Sequence, residues 1–169
     1  MAAARLFEMR QSSQNLEALG STRESRLNRG IFPLIVALHV AVIGGTFLFG
    51  SHRPRVAWLA LLLAAQPLRW WTLTTLGSRW NARGAVPEAM QVETGGPYAY
   101  VRHPNYSVVA LELAALPAAF GLHRLALGAT LANAALLAVR IREEEALLFE
   151  LPGYYEHFAG KPRFVPFLV

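Results

Sequence analysis

Two clusters in this chain have the residue types and spacing that chemistry needs. The first is Gly95-Gly96-Pro97-Tyr98-Ala99-Tyr100-Val101-Arg102-His103-Pro104-Asn105-Tyr106. Its two glycines and two prolines impose an irregular backbone, which leaves amide and carbonyl groups free to meet a ligand. Its tyrosines, arginine and histidine offer aromatic faces, a fixed charge and a proton carrier. The second is Arg140-Ile141-Arg142-Glu143-Glu144-Glu145. Arg140 and Glu144 are four apart and so share one helix face. Composition alone leaves plainer readings open for both: an interfacial loop anchored by Tyr and Arg at the headgroup level, and a solvated ion pair at a helix end. A third candidate is Glu112, a carboxylate inside an apolar run. Charge is costly there, so Glu112 is either functional or paired internally with His39 or Arg69. His39 itself reads as a packing residue.

The elements that must position these residues are apolar. The chain has 169 residues, one domain's worth, with 54% hydrophobic and only 16% charged residues. An ordinary soluble domain carries about 25% charged residues. Every acid is Glu, fifteen of the sixteen bases are Arg, and the net charge is +5. Nucleic-acid binders cluster such charge on a polar surface. Here it lies between long apolar runs, which points to a membrane and away from nucleic acid. The absence of cysteine excludes disulfides, thiolate metal ligands and a cysteine nucleophile. No metal site is expected.

Residues 1–30 are polar and of mixed charge. They read as a cytoplasmic segment with a short amphipathic helix ending near Gly20, followed by a linker; they are not a signal peptide. Ile31–Gly50 and Val56–Leu76 are long enough to span a bilayer, which takes about 20 residues. Tyr106–Leu122 and Leu125–Val139 are shorter apolar runs. The fourth is rich in small residues such as Gly128, Ala129 and Ala132 that let helices approach closely. Gly77–Asn105 is a long polar connection, and the tail from Leu151 reads as irregular. With four spans and both termini in the cytoplasm, the cytoplasmic segments hold twelve Lys/Arg and the outer turns three, leaving aside Arg69 inside a span. That is the positive-inside bias. It brings both chemical clusters to the cytoplasmic mouth of an all-α, multi-pass membrane bundle.

Thr94 to Tyr106, with Arg140 to Leu148, Tyr154-Tyr155 and Pro162…Pro166, resembles the signature of the isoprenylcysteine carboxyl methyltransferase superfamily. Arg69-Trp70-Trp71, Leu76 to Asn81, and Asn133 are similar to its bacterial branch, which includes proteins associated with type III polyketide synthases. The resemblance covers roughly residues 5–169. It implies an integral membrane methyltransferase that uses S-adenosyl-L-methionine without a Rossmann domain, and no Gly-x-Gly-x-x-Gly occurs here. By that resemblance Met90, Gln91, Val92, Glu93, Tyr98, His103, Pro104, Asn105, Tyr106 and Glu144 contact the cofactor. Arg140 faces the acceptor, and Arg140 and Glu144 are the catalytic pair. The domain would be 31–169, its cofactor pocket formed by 90–106 and 140–169. Bacterial relatives carry a further apolar span ahead of Arg5-Leu6-Phe7-Glu8, so four spans or five are expected. Gln14-Asn15 stands where Arg-Asn is common in the branch.

The expected reaction is an in-line methyl transfer, in which holding donor and acceptor together supplies about 7–11 kcal/mol of the barrier. Tyr98 and Tyr106 suit a cationic sulfonium, Glu144 the cofactor's hydroxyl or amino groups, and Arg140 an acceptor anion. A carboxylate acceptor needs no base. A phenol or enol would use His103 or a glutamate. The acceptor is lipophilic and enters from the bilayer of the bacterial cytoplasmic membrane. O-methylation of a carboxylate, phenol or pyrone hydroxyl is expected, ahead of phospholipid amine N-methylation. A membrane lipid reductase and a non-catalytic membrane adaptor are the alternatives from other classes. Oligomeric state is left open.

Overall fold

The structure, a computed structural model, describes residues 2–88 and 91–164. Six α-helices carry most of it: α1 (Ala2–Leu19), α2 (Arg26–Phe49), α3 (Val56–Leu76), α4 (Pro104–Ala119), α5 (His123–Leu148) and α6 (Tyr154–Phe158). Two short strands, β1 (Thr22–Arg23) and β2 (Val86–Pro87), pair antiparallel, with Thr22 opposite Pro87 and Arg23 opposite Val86.

The helix ends follow local chemistry. Ser25 caps α2, its Oγ accepting from the Asn28 amide at 2.9 Å. Capping at Ser25 starts α2 five residues ahead of the apolar run. The run Val56–Leu76 is α3 without change, and Gly77 ends it at φ +54, a conformation only glycine adopts freely. Pro104 occupies the first turn of α4, where its missing N–H costs nothing. α4 stops at Ala119, before Leu122. α5 overruns its apolar stretch at both ends and carries Arg140 to Glu145 on an unbroken helix, because Ala, Leu, Arg and Glu are all good helix formers. The tail is not wholly irregular: α6 forms after Gly153 (φ +81).

α2 to α5 form an antiparallel bundle. Val42, Val109, Leu113 and Ala129 from α2, α4 and α5 make its core. The two turns at the far end are zipped together: the Ser51 amide donates to the Phe120 carbonyl at 2.9 Å and the Arg55 amide to that of Ala119 at 2.7 Å. A second core of Val86, Leu151, Tyr154 and Phe158 closes the other end, with Val92 and Tyr98 packed on it.

Outside the bundle the surface is apolar. Phe47, Leu63, Leu127 and Leu131 point away from the protein, Phe47 being 87% exposed. Among the described residues two helices, Arg26–Phe49 and His123–Leu148, are long and apolar enough to cross a membrane. At 1.5 Å per residue, α4's 16 residues cover about 24 Å, less than the roughly 30 Å hydrocarbon core.

α1 is inside out. Arg5, Glu8, Ser12 and Asn15, at spacings of three and four, turn toward the protein, while Leu6 and Phe7 are exposed. The inward residues find specific partners. Ser12 Oγ accepts from the Ala82 amide at 2.8 Å, and Asn15 Nδ2 donates to the Trp80 carbonyl at 2.7 Å. At the start of α1, inward Arg5 and Glu8 with outward Leu6 and Phe7 are the arrangement expected against a lipid phase, whereas farther along Arg10, Gln11, Ser13, Gln14 and Glu17 are exposed and Leu16 and Leu19 half-buried.

Candidate functional site

The connection from Gly77 to His103 crosses the end of the bundle where α3 finishes, α4 starts and α5 finishes. Asn81 ties its first bend, donating to the Ala85 carbonyl and accepting from the Ala85 amide, both at 2.9 Å. A 3₁₀ turn, Gly96–Ala99, places Tyr98. Gly96 sits at φ +55, where a Cβ would come within 2.4 Å of Thr75 Oγ1, so the turn lies hard against α3.

The neighbouring acids of α5 face different ways, because consecutive helical residues point about 100° apart. Glu145 is buried and organises the loop. His103 Nε2 lies 3.0 Å from its Oε1, and Arg102 and Arg163 donate to it at 3.2 and 2.7 Å. The tail is fastened beside them: the His103 amide donates to the Arg163 carbonyl at 2.9 Å, and the Arg102 amide to that of Pro162 at 3.0 Å. Glu144 instead meets the Tyr106 hydroxyl, which donates to it. Arg140 Nε donates to the same hydroxyl at 2.7 Å, and Arg140 Nη2 to the Ala82 carbonyl at 2.6 Å. Arg140 and Glu144 form no direct ion pair among the described residues; Tyr106 stands between them. The guanidinium also lies 5.5 Å from the Tyr106 ring centroid, a cation–π contact. Gly84 (φ +66) lets the loop approach, since a Cβ there would lie 2.9 Å from Arg140 Nη2 and 3.0 Å from Glu144 Oε2.

These residues line one cavity of about 550 Å³. At one end stand Glu93, Tyr98, His103, Glu144 and Tyr154; at the other Val36, Val40, Ile43 and Val109. Along α2 the lining runs from Phe32 to Gly44, about 18 Å at the helical rise. Arg5, Leu6, Glu8 and Met9 of α1 form a side wall.

Behind that wall the charges are paired. Arg69 donates to Glu8 at 2.7 and 2.5 Å and lies 3.5 Å from Glu112. Arg5 donates to Glu8 and Glu112, and Gln66 donates to Glu112 at 3.0 Å. Glu112 therefore pairs with Arg69 and Arg5, and His39 is not among its partners. His39 lines the cavity, with Nδ1 2.8 Å from the Ile35 carbonyl.

At the polar end, the Gly95 amide and then Arg79 hold the Glu93 carboxyl below its usual range. Burial, and then the charge of Glu144, pushes the Tyr98 phenol up, so it keeps its proton. The same two causes raise Tyr154.

Of the residues expected at a cofactor site, Val92, Glu93, Tyr98, His103, Asn105, Tyr106 and Glu144 line the cavity together with Arg140. Asn105 also accepts from Arg69 at 3.3 Å. Gln91 is exposed and offers its backbone carbonyl to Arg79 at 3.2 Å. Pro104 is buried in the first turn of α4 without lining the cavity. Met90 lies outside the described residues. Ala82 and Gly84 also line it, outside the expected segments 90–106 and 140–169, and so does Phe158, which lies inside the second segment without having been singled out. A glycine between Arg83 and Ala85 was the only local sign of the close approach, and Phe158 carried none.

The family model described as isoprenylcysteine carboxyl methyltransferase (ICMT) family matches residues 58–150, which include both clusters. The chain is 31% identical over 155 residues to a Bacillus subtilis (strain 168) protein described as uncharacterized protein YpbQ, covering 88% of this chain and 90% of that one.

Proposed function

Because the chain belongs to the isoprenylcysteine carboxyl methyltransferase family, a family of membrane methyltransferases, we propose that it transfers a methyl group from S-adenosyl-L-methionine to an oxygen of a lipophilic acceptor. A carboxylate, a phenol or a pyrone hydroxyl is the acceptor class, as in the polyketide-associated bacterial branch. The observation that carries the reading is a cavity with unlike ends. A polar cofactor and an apolar acceptor need such a pair of ends, and Arg140 lies between them.

The residues fit the cofactor. When bound, it supplies a methyl on a positively charged sulfur, which leaves as a neutral thioether once the acceptor oxygen takes the methyl. Tyr98, Tyr106 and Tyr154 offer aromatic faces to that charge. Glu93 and Glu144 offer carboxylate oxygens to hydroxyl or amino groups. Arg140 is buried and has its Nε and one Nη2 bond engaged. Its remaining donors serve an oxyanion, in a dry site where such a charge counts for more than in water. A neutral phenol would pass its proton to His103 or to a glutamate. An amine acceptor would meet the guanidinium of Arg140, which disfavours phospholipid amine methylation.

α2 to α5 are read as four crossings with both termini on the cytoplasmic side. α4 is short but enclosed: Val108, Glu112, Leu113, Ala115 and Ala118 are all buried, so its ends need not reach the full depth of the lipid. Cysteines placed at Ser51 and His123 are expected to be labelled only from outside. Labelling of either only from the cytoplasm would overturn the topology.

Titration of detergent-purified protein with S-adenosylhomocysteine and with NADPH tests the reaction class. Binding of the first alone is expected, followed by transfer of labelled methyl to a long-chain phenol. Binding of NADPH alone would make the protein a reductase, and binding of neither a non-catalytic component.

A further inference from the structure

We propose that Asn133 forms, with His39 opposite it, a second polar station in the apolar half of the cavity, and that it binds a hydrogen-bonding group of the acceptor other than the methylated oxygen. The proposal rests on reading the cavity as a methyl-transfer site and adds a requirement on the acceptor.

Asn133 lies in the middle of α5, 2% exposed, and lines the cavity. Its Oδ1 is buried and has no hydrogen-bond partner among the described residues. Buried side-chain oxygens are almost always paired, and in an apolar span an unpaired amide is more costly still. A packing role would be met better by leucine, as at Leu137 one turn along the same cavity wall. The other polar groups facing this region are already engaged. Arg5, Glu8, Gln66, Arg69 and Glu112 satisfy one another, and the Asn105 oxygen takes Arg69.

His39 stands at the same level on α2. Phe32 lies 6.0 Å from Arg140 and Gly45 abuts Leu125, which fixes the antiparallel register of the two helices and sets His39 across from Asn133. The Ile35 carbonyl occupies its Nδ1, leaving Nε2 for the cavity. Asn133 is seven residues from Arg140 toward the apolar end, about 10 Å of helix.

An acceptor with one reactive oxygen and a plain hydrocarbon tail would leave this station dry and unsatisfied. An acceptor carrying a carbonyl or hydroxyl beyond the reacting oxygen would satisfy it. A site built to pair a polar group rejects the analogue that lacks it.

The test uses the full chain in detergent and a set of long-chain alkylphenols: one plain, the others each with a single carbonyl, placed at successive positions from the head of the chain. Two quantities are read, kcat/KM for methyl transfer and the thermal shift caused by each probe alone. Wild type is expected to favour one carbonyl position over the plain phenol by about tenfold or more. Asn133→Leu is expected to bring that ratio close to one while S-adenosylhomocysteine still binds. Asn133→Ala serves if the leucine variant does not fold, and His39→Phe should reduce the ratio in part. No preference at any position in wild type, or a preference that survives in Asn133→Leu, overturns the proposal. If S-adenosylhomocysteine fails to bind wild type, the methyl-transfer reading falls, and the thermal shifts still decide whether Asn133 recognises the carbonyl.

Discussion

The two ends of the cavity are held together by different means. At the loop end, Glu145 gathers His103, Arg102 and Arg163, and the tail is hydrogen-bonded to the loop residue by residue. Each bond there crosses between separate chain segments, so the backbone at the polar end is cross-linked. At the apolar end the wall is α1, fastened through Arg5 and Glu8 to Glu112 and Arg69, with Leu6 and Phe7 turned outward. A polar cofactor demands fixed donors and acceptors. On the proposed reading, a lipophilic chain demands apolar surface, a way in and few polar contacts. The difference teaches that the loop end is fixed by cross-links between loop, helix and tail, while α1 is fixed to the bundle through a few charged side chains.

The comparison breaks most sharply at the two charge clusters. Glu145→Ala leaves the buried His103 without its acceptor and the half-buried Arg102 with only the Lys161 carbonyl, and is expected to cost roughly 3–5 kcal/mol of stability and to abolish S-adenosylhomocysteine binding. Glu112→Ala removes one acceptor from Arg5 and Gln66, while Arg69 and Arg5 keep Glu8 and Gln66 keeps the Leu62 carbonyl; it is expected to cost less, about 1–3 kcal/mol, and to leave that binding in place. Thermal unfolding and cofactor titration on both variants check this. Equal loss of cofactor affinity would mean that the two ends are one unit.

A smaller effect separates Arg140 from Glu144. Arg140→Ala is expected to lower turnover of an anionic acceptor about 10²-fold with cofactor affinity near normal, and Arg140→Lys to rescue in part, because a point charge lacks the planar fork. Glu144→Gln is expected to raise the apparent constant for the cofactor. Rates and titrations on the three variants decide whether the roles are distinct.

Gly84→Ala places a Cβ against both of these side chains at a positive φ. A cost of about 1–3 kcal/mol is expected, with turnover falling more than cofactor affinity, measured by the same two assays. The smallest effect belongs to Glu93. Its carboxyl is held low by Gly95 and Arg79, so its contribution to stability is present above the unfolded carboxylate range and is lost as pH falls through the lowered folded value. Glu93→Gln is expected to lower stability slightly near neutral pH, with the difference from wild type vanishing as pH falls through that lowered value, measured by thermal unfolding across the acid range.

Much of the site was legible in the sequence. Tyr98, His103, Tyr106, Arg140 and Glu144 lie in two short motifs, and five residues between glycines, prolines and a charged helix end are conspicuous in so apolar a chain. Glu145 was not separable from Glu144, because three consecutive glutamates read alike until the helix phase assigns each a direction. Glu112 was visible as an expensive charge, but its choice of Arg69 and Arg5 depended on how deep α1 lies. Asn133 was visible as a residue and not as an orphan, since an unpaired oxygen is a property of everything around it.

The length of each apolar run, the punctuation by glycine and proline and the identity of the chemical residues were determined by the sequence alone, because helix formation and chain reversal are local and respond to neighbours a few residues away. Which face of each helix turns inward was decided only by the tertiary structure. Where the surroundings are as apolar as the interior, hydrophobicity no longer distinguishes inside from outside, and the faces are sorted by polar pairing across distant segments. α1 carries this furthest: its sequence reads as an amphipathic surface helix, and the partners waiting on Arg69, Glu112, Trp80 and Ala82 turn Arg5, Glu8, Ser12 and Asn15 inward.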